Sequence, residues 1–369
     1  MINSEEFKEI ELSGGKIEFI KNGEAVSMRY THSTPFPVTC FNANISRDGV
    51  YLIEDSRTAI KLKHQFSIAM NDNPMPAYII SDKMGMLGRS CPRCELYFRT
   101  DWFGSDTHCP YCTHHGHQFE FMTKNQLIFL EEYRKAFLDA FKKESVPAID
   151  LDEIIKKLPD NKPAWYYTEE KQQISVKCPK CKTRFDILGV YGKCPRCQKS
   201  NHLDVISSKF DNLQSQFNRA DETITDRQER ESEWKKLLSF CVSEFESLAN
   251  HLRKQLICIP STPKRKSDLT NLSFQNILKA NSCFLNWFGI EILNNISADD
   301  SNFINRMFNR RHLIIHKTGV VDQEYIDNTN DKSVKLNQLI RVRSQEIKRL
   351  LPLVKQSSIN LIEGIESIS

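Results

Sequence analysis

The chain has 369 residues, 40% of them hydrophobic and 27% charged, and its 51 Lys and Arg against 47 Asp and Glu leave a net charge of +4. That length suits two or three domains, and so even a charge balance leaves any argument for a polyanionic partner to local clusters. No apolar run approaches the roughly 20 residues that span a bilayer. The acidic start, Met1-Ile2-Asn3-Ser4-Glu5-Glu6, lacks a signal-peptide core, so a cytoplasmic protein with no membrane partner is expected.

Residues 1–85 read as a small β-rich module of unknown role. Runs such as Lys16–Ile20, Val26–Tyr30 and Val38–Phe41 are separated by Gly14-Gly15, Asn22-Gly23 and the Pro35/Pro37 stretch. No catalytic constellation is visible there.

Eight of the twelve cysteines then form four C-x-x-C pairs in two units: Cys91-x2-Cys94-x14-Cys109-x2-Cys112 and Cys178-x2-Cys181-x12-Cys194-x2-Cys197. In a reducing compartment such pairs read as metal ligands rather than disulfides. Four thiolates suit tetrahedral Zn²⁺ at about 2.3 Å and leave no open coordination position, so two structural zinc ions are expected and none for catalysis. Pro92, Pro110, Pro179 and Pro195 each follow the first cysteine of a pair and preform the turn. Both units, 86–122 and 171–207, resemble zinc ribbons, with Phe185–Gly192 as the hairpin between knuckles of the second. His108, His114, His115 and His117 crowd the first unit and read as surface or supporting residues, since four cysteines already suffice. The second unit is locally basic (Lys177, Lys180, Lys182, Arg184, Lys193, Arg196, Lys199), with Phe185 and Tyr191 interleaved. Cations neutralise phosphates and rings stack unpaired bases; the competing reading is a solvated ribbon surface against a neighbouring domain. Of the other cysteines, Cys241, Cys258 and Cys283 read as small core residues and Cys40 lies in the β region.

The segment 123–170 between the units reads as a helical connector. Thr123 and Gln126 make a capping-box pattern, Leu127, Leu130, Tyr133, Phe137 and Phe141 follow at helical spacing, and a second helix runs from Ile149 to Leu158. Residues 208–228 are polar, a linker or the exposed start of a helix.

From 229 to 369 the pattern is all-α, four helices with short connections, which describes a bundle. The first carries Trp234, Leu237, Leu238, Cys241, Phe245, Leu248 and Leu252 and ends near Pro260, before a loop from Ser261 to Lys266. The second carries Phe274, Ile277, Leu278, Phe284, Leu285 and Phe288. The third spans Asn302 to Lys317 and stops at Gly319. The fourth runs from about Val334 to Glu363, kinked or divided at Pro352. The fold class is therefore multidomain α+β.

At about 100° per residue, Phe303, Ile304, Met307, Phe308, Ile314 and Ile315 form an apolar stripe on the third helix. Arg311 points out of its middle, with His312 and His316 along its edge. An unpaired arginine in a dry interface is costly, so something should pair with it or use it. Arg311-His312-x3-His316, preceded by Asn309-Arg310 and followed by Lys317-Thr318-Gly319-Val320-Val321-Asp322, resembles the signature of the HEPN superfamily. The resemblance covers roughly Arg230 to Ser369. It implies a four-helix bundle and, by its ribonuclease members, metal-independent endoribonuclease activity on RNA. His316 would move protons, Arg311 would hold the phosphate and His312 would orient them. Arg306, Arg310 and Lys317 would guide the substrate. Members commonly pair two bundles around one cleft, so a homodimer is implied. They often serve as toxins or antiviral defence effectors, with an antitoxin or other protein partner. Three competing readings stand beside it. One is an inactive zinc-ribbon adaptor whose bundle dimerises and binds nucleic acid or nucleotide. Another pairs Arg311 with a buried carboxylate, Glu244 or Glu291. The last is a metal held by His312 and His316, with no third ligand obvious.

Overall fold

The computed structural model of the protein describes residues 15–22, 25–32, 40–46, 49–53, 59–61, 75–80, 86–104, 106–112, 114–141, 148–157, 173–257 and 261–368. It divides into two compact units, Met1–Lys199 and Ser200–Ser369. The architecture is mixed, with small antiparallel sheets and two tetracysteine clusters in the first unit and helices in the second. No helix among the described residues is long and apolar enough to cross a membrane.

In the first unit, strands β1 (Gly15–Asn22) and β2 (Ala25–His32) pair as a hairpin, and β3 (Cys40–Ser46), β4 (Gly49–Ile53), β5 (Ala59–Lys61) and β6 (Met75–Ile80) form a sheet in the order β5-β4-β3-β6. The turns expected at Gly14, Gly23 and Pro35/Pro37 lie outside the described residues, as does Cys258. The cysteine-bearing region contributes β7 (Leu87–Ser90), β8 (Tyr97–Thr100), β9 (Asp106–His108) and β10 (His115–His117), followed by a single 3-10 turn at Gln118–Phe121.

Helix α1 (Lys124–Phe141) begins at the expected capping box: Thr123 N donates to Gln126 Oε1 at 3.0 Å and Gln126 N to Thr123 Oγ1 at 3.2 Å. Its Phe129, Leu130 and Tyr133 are buried. The helix expected from Ile149 instead opens with strand β11 (Ala148–Asp150), which pairs with β1, and only then becomes α2 (Leu151–Lys156). Asp150 accounts for the switch, because its carboxylate accepts from the Asp152 amide at 3.0 Å and starts the helix there.

The second unit holds α3 (His202–Thr223), α4 (Arg227–Ile257), α5 (Pro263–Asn271), α6 (Ile277–Phe288), α7 (Ala298–His316), α8 (Gln323–Thr329) and α9 (Ser344–Ile368). Helix α4 is its centre, packed on α3, α5, α7 and α9. Its Trp234, Leu237, Leu238, Cys241, Phe245, Leu248 and Leu252 are all buried. The polar stretch after Lys209 falls largely in α3, where Phe210, Leu213 and Phe217 recur at helical spacing and are buried. The loop expected at Ser261–Lys266 is mostly helix, capped by Thr262 with Pro263 in the first turn.

One expected element is misplaced. Residues 334–343 are not the start of the last helix but an irregular strap beside the end of α7. Val320 bridges Leu339, Val321 N donates to Gln338 O at 2.9 Å and Ile340 N to Gly319 O at 2.8 Å. Val321, Tyr325 and Ile340 close over Leu313 as a small satellite core. Helix α9 therefore starts at Ser344, and it continues unbroken through Pro352.

Candidate functional site

The C-x-x-C pairs fold into one repeated knuckle. The first cysteine's amide donates to the carbonyl five residues on: Cys91 to Leu96 at 3.1 Å, Cys109 to His114 at 2.7 Å, Cys178 to Thr183 at 2.9 Å and Cys194 to Lys199 at 3.0 Å. The residue after the second cysteine must turn back sharply. Glu95 (φ 59°), Lys182 (φ 65°) and Gln198 (φ 59°) accordingly adopt the left-handed region, at a cost of about 1–2 kcal/mol each.

Two knuckles face each other in each cluster, with all ligand atoms within 4.8 Å of one another. Cys91 and Cys112 sulfurs lie 3.6 Å apart, as do Cys94 and Cys109; Cys178–Cys197 and Cys181–Cys194 are each 3.5 Å. A tetrahedral ion with bonds of about 2.3 Å would set sulfurs about 3.8 Å apart, so both clusters could hold a metal. The thiols also polarise one another. Hydrogen bonding from Cys109 pushes the Cys91 thiol down, while Cys109 is pushed up by Cys112. Among the described residues no histidine joins a ligand set. His108 stacks on His115 with centroids 4.5 Å apart, and His117 caps the 3-10 turn.

The two cysteine units are one module rather than two beads. The hairpin expected between knuckles at Phe185–Gly192 does not form. Instead β12 (Gln173–Lys177) and β13 (Arg184–Leu188) flank the first knuckle of the second unit, and β13 pairs with β8 to give one sheet, β12-β13-β8-β7. Across this seam Arg99 Nε donates to Asp186 Oδ2 at 3.0 Å, both side chains buried. The remaining knuckles are also tied, His108 N to Pro195 O at 2.9 Å and Lys193 N to Pro110 O at 3.0 Å. Tyr111, at the position where other knuckles carry Arg93, Lys180 and Arg196, donates its hydroxyl to Tyr97 O and accepts from Leu188 N. Phe185 and Tyr191, expected to be available for stacking, are instead core residues, 1% and 3% exposed.

On α7 the N-terminus is capped by Ser297, whose Oγ accepts from Asp300 N at 3.1 Å. The C-terminus closes through Leu313 O, which accepts from both Lys317 N and Gly319 N at 2.9 Å, with Thr318 and Gly319 left-handed. Phe303, Ile304, Met307 and Phe308 are buried as expected, but Leu313 continues the stripe while Ile315 is 51% exposed.

His312 and His316 sit one turn apart on this helix, with Arg311 immediately before His312 and turned toward α4. Arg311 Nη2 reaches Glu246 Oε2 of α4 at 3.6 Å and donates to Ser243 Oγ at 3.4 Å. Its Nε is buried without a hydrogen-bond partner. Glu246, rather than Glu244 or Glu291, is thus the facing carboxylate; Glu244 pairs with Lys209 and Glu291 is exposed. Burial raises the Glu246 pKa, opposed by the charges of Arg311 and His316. The His312 and His316 rings lie 4.8 Å apart. Burial and then the neighbouring His316 lower the His312 pKa, while His316 is exposed. Sequence reasoning missed Ser243 and Glu246, one turn apart on α4. The available signal was that they flank the buried Phe245 at the edge of its apolar face.

The three guiding cations are placed differently from one another. Arg310 is buried and saturated: it donates to Asp331 Oδ2 at 2.9 Å, Glu346 Oε1 at 2.7 Å and the Tyr325 hydroxyl at 3.1 Å. Burial works against the Asp331 carboxylate, yet hydrogen bonds from Ser333, Tyr325 and Arg310 hold it below its usual range. Lys317 pairs with Asp322 and Glu324. Arg306 lies over the Phe303 ring at 5.6 Å.

No known protein family, curated protein or solved structure matches the chain.

Proposed function

We propose that the second unit carries a HEPN-like, metal-independent endoribonuclease centre on α7. The observation that carries it is the contrast between neighbouring arginines. Arg310 has every strong donor engaged, whereas Arg311 makes one long ion pair and one long hydrogen bond and leaves its Nε free. A guanidinium with spare donors on the same helix as an exposed imidazole suits recognition of a phosphodiester.

In this reading the ribose 2′-oxygen attacks the adjacent phosphorus, the P–O5′ bond breaks, and the products are a 2′,3′-cyclic phosphate and a 5′-hydroxyl. His316 moves the proton, as histidine side chains do in general acid–base catalysis. Arg311 neutralises charge on the phosphorane-like transition state. His312, its pKa lowered by burial and by the neighbouring His316, buttresses the His316 ring, and Glu246 holds Arg311 until the phosphate replaces it. A single bundle supplies few groups, so a homodimer placing two α7 motifs around one cleft is part of the proposal. The tetracysteine clusters would hold zinc, with Cys91, Cys94, Cys109 and Cys112 around one ion and Cys178, Cys181, Cys194 and Cys197 around the other. Those ions would support the fold and take no part in cleavage.

The Arg311–Glu246 pair also favours a second reading, an inactive adaptor in which that pair is structural. The test is incubation of labelled single-stranded RNA with wild type, Arg311→Ala and His316→Ala in mild EDTA. Cleavage by wild type, lost in both variants, supports the nuclease. RNA left intact by a folded wild-type dimer, under every trigger tried, favours the adaptor.

A further inference from the structure

We propose that the tandem cysteine module carries a docking site for single-stranded RNA around its second tetracysteine cluster, separate from α7 and independent of cleavage there.

Between residues 173 and 199 there are seven basic side chains and one acid, Asp186. Asp186 is spent internally on Arg99, and Arg184 is spent on Asp101, its Nε 3.0 Å from the carboxylate. Lys193 is buried, and five cations remain exposed: Lys177, Lys180, Lys182, Arg196 and Lys199. Two facing knuckles bring four of them around one cluster, Lys180 and Lys182 from the first and Arg196 and Lys199 from the second. Among the described residues none of the five makes an ion pair, and Lys182 Nζ donates to Pro179 O at 2.8 Å. Like charges held together without counterions are unfavourable in the free protein and favour a polyanion.

A rigid plate favours a single-stranded nucleic acid over other polyanions. The Arg196 guanidinium lies 4.4 Å above the ring of half-buried Trp102. Trp102 is fixed by donation from its Nε1 to Asp106 O at 2.8 Å. It also lies so close to Gly104 that any side chain there would strike the ring. A guanidinium backed by an indole offers an unpaired base a flat, charged stacking surface, while the lysines reach flanking phosphates. An acidic peptide would use the charges but leave the plate idle. Duplex RNA has no splayed base to offer it.

The test uses full-length, metal-loaded protein carrying His316→Ala, so that labelled oligonucleotides stay intact, with binding followed by fluorescence anisotropy. A single-stranded RNA of mixed sequence should bind with log Kd against log salt at a slope of about 3, for four phosphates contacted. The double reversal Lys180→Glu/Arg196→Glu should weaken binding at least tenfold with metal content unchanged, and Arg196→Lys alone should weaken it while leaving the salt slope in place. The reversal Lys264→Glu/Arg265→Glu, on exposed α5, should have no effect. Unchanged binding in the first double variant, or loss only in the α5 variant, overturns the proposal. So does polyglutamate competing as well as polyuridylate at equal charge, which would assign the surface to an acidic protein.

Discussion

The cysteine module and the α7 centre differ in how far their central charged groups are committed to protein partners. In the module Arg99 is tied to Asp186, the Tyr111 hydroxyl to two backbone groups and knuckle to knuckle across the seam, although Thr107 Oγ1 is buried without a hydrogen-bond partner. On α7 Arg311 keeps an unbonded Nε, His312 has a buried Nδ1 without a hydrogen-bond partner, and His316 is exposed. Saturated groups specify structure; groups with spare capacity remain able to bind. Arg310 and Arg311 bring that contrast onto adjacent residues.

The largest expected effect tests the closed side. Stripping the metals with a strong chelator, or Cys109→Ser with Cys194→Ser, should unfold the cysteine module, since such sites contribute on the order of 10 kcal/mol. Limited proteolysis should then cut between residues 86 and 199 while the helices from 200 onward stay protected. Survival of the module without metal would break the comparison.

Next come the buried pairs. Arg310→Met leaves Asp331 and Glu346 without their cation and should cost about 3–5 kcal/mol in chemical denaturation, whereas Arg311→Met should cost about 1 kcal/mol or less. Equal costs would show that Arg311 is structural after all. The Arg310 effect should also depend on pH. With the Asp331 carboxyl held below its usual range, its stabilisation is fully present above the unfolded value of about 3.9 and is lost as pH falls through the folded value. The gap between wild type and Arg310→Met should therefore narrow below about pH 4. A smaller effect is expected at Glu246. Glu246→Gln should leave stability within about 1 kcal/mol while freeing Arg311, so RNA binding should tighten rather than weaken.

Local patterns were legible in the sequence. The spacing of the cysteines, the buried face of α4 and the Thr123 capping box each follow from residues within a few turns of one another. Pairings between distant segments were not. Strand β8 meets β13 across more than eighty residues of chain with no local mark of the partner, so two ribbons were expected where one fused sheet exists. Phe185 and Tyr191 alternate with basic residues as in a stacking surface, but that seam buries them. Arg310 and Arg311 differ by about 100° on the helix. Their partners lie on α4, α8, α9 and the strap, so the sequence could not say which was committed. Leu336 and Leu339 suggested a helix face; the pairing of Val321 with Gln338 keeps them in the strap, with Leu339 66% exposed.

The most direct measurement is of product ends. RNA incubated with wild-type protein, in EDTA dilute enough to leave both clusters metal-loaded, should yield 2′,3′-cyclic phosphate and 5′-hydroxyl termini. A 2′-deoxy substitution at the cleaved position should block the cut, and His316→Ala should abolish it with stability unchanged. Fragments with 5′-phosphate ends, cleavage that ignores the 2′-deoxy substitution, or full activity in His316→Ala would contradict the assignment of the α7 centre.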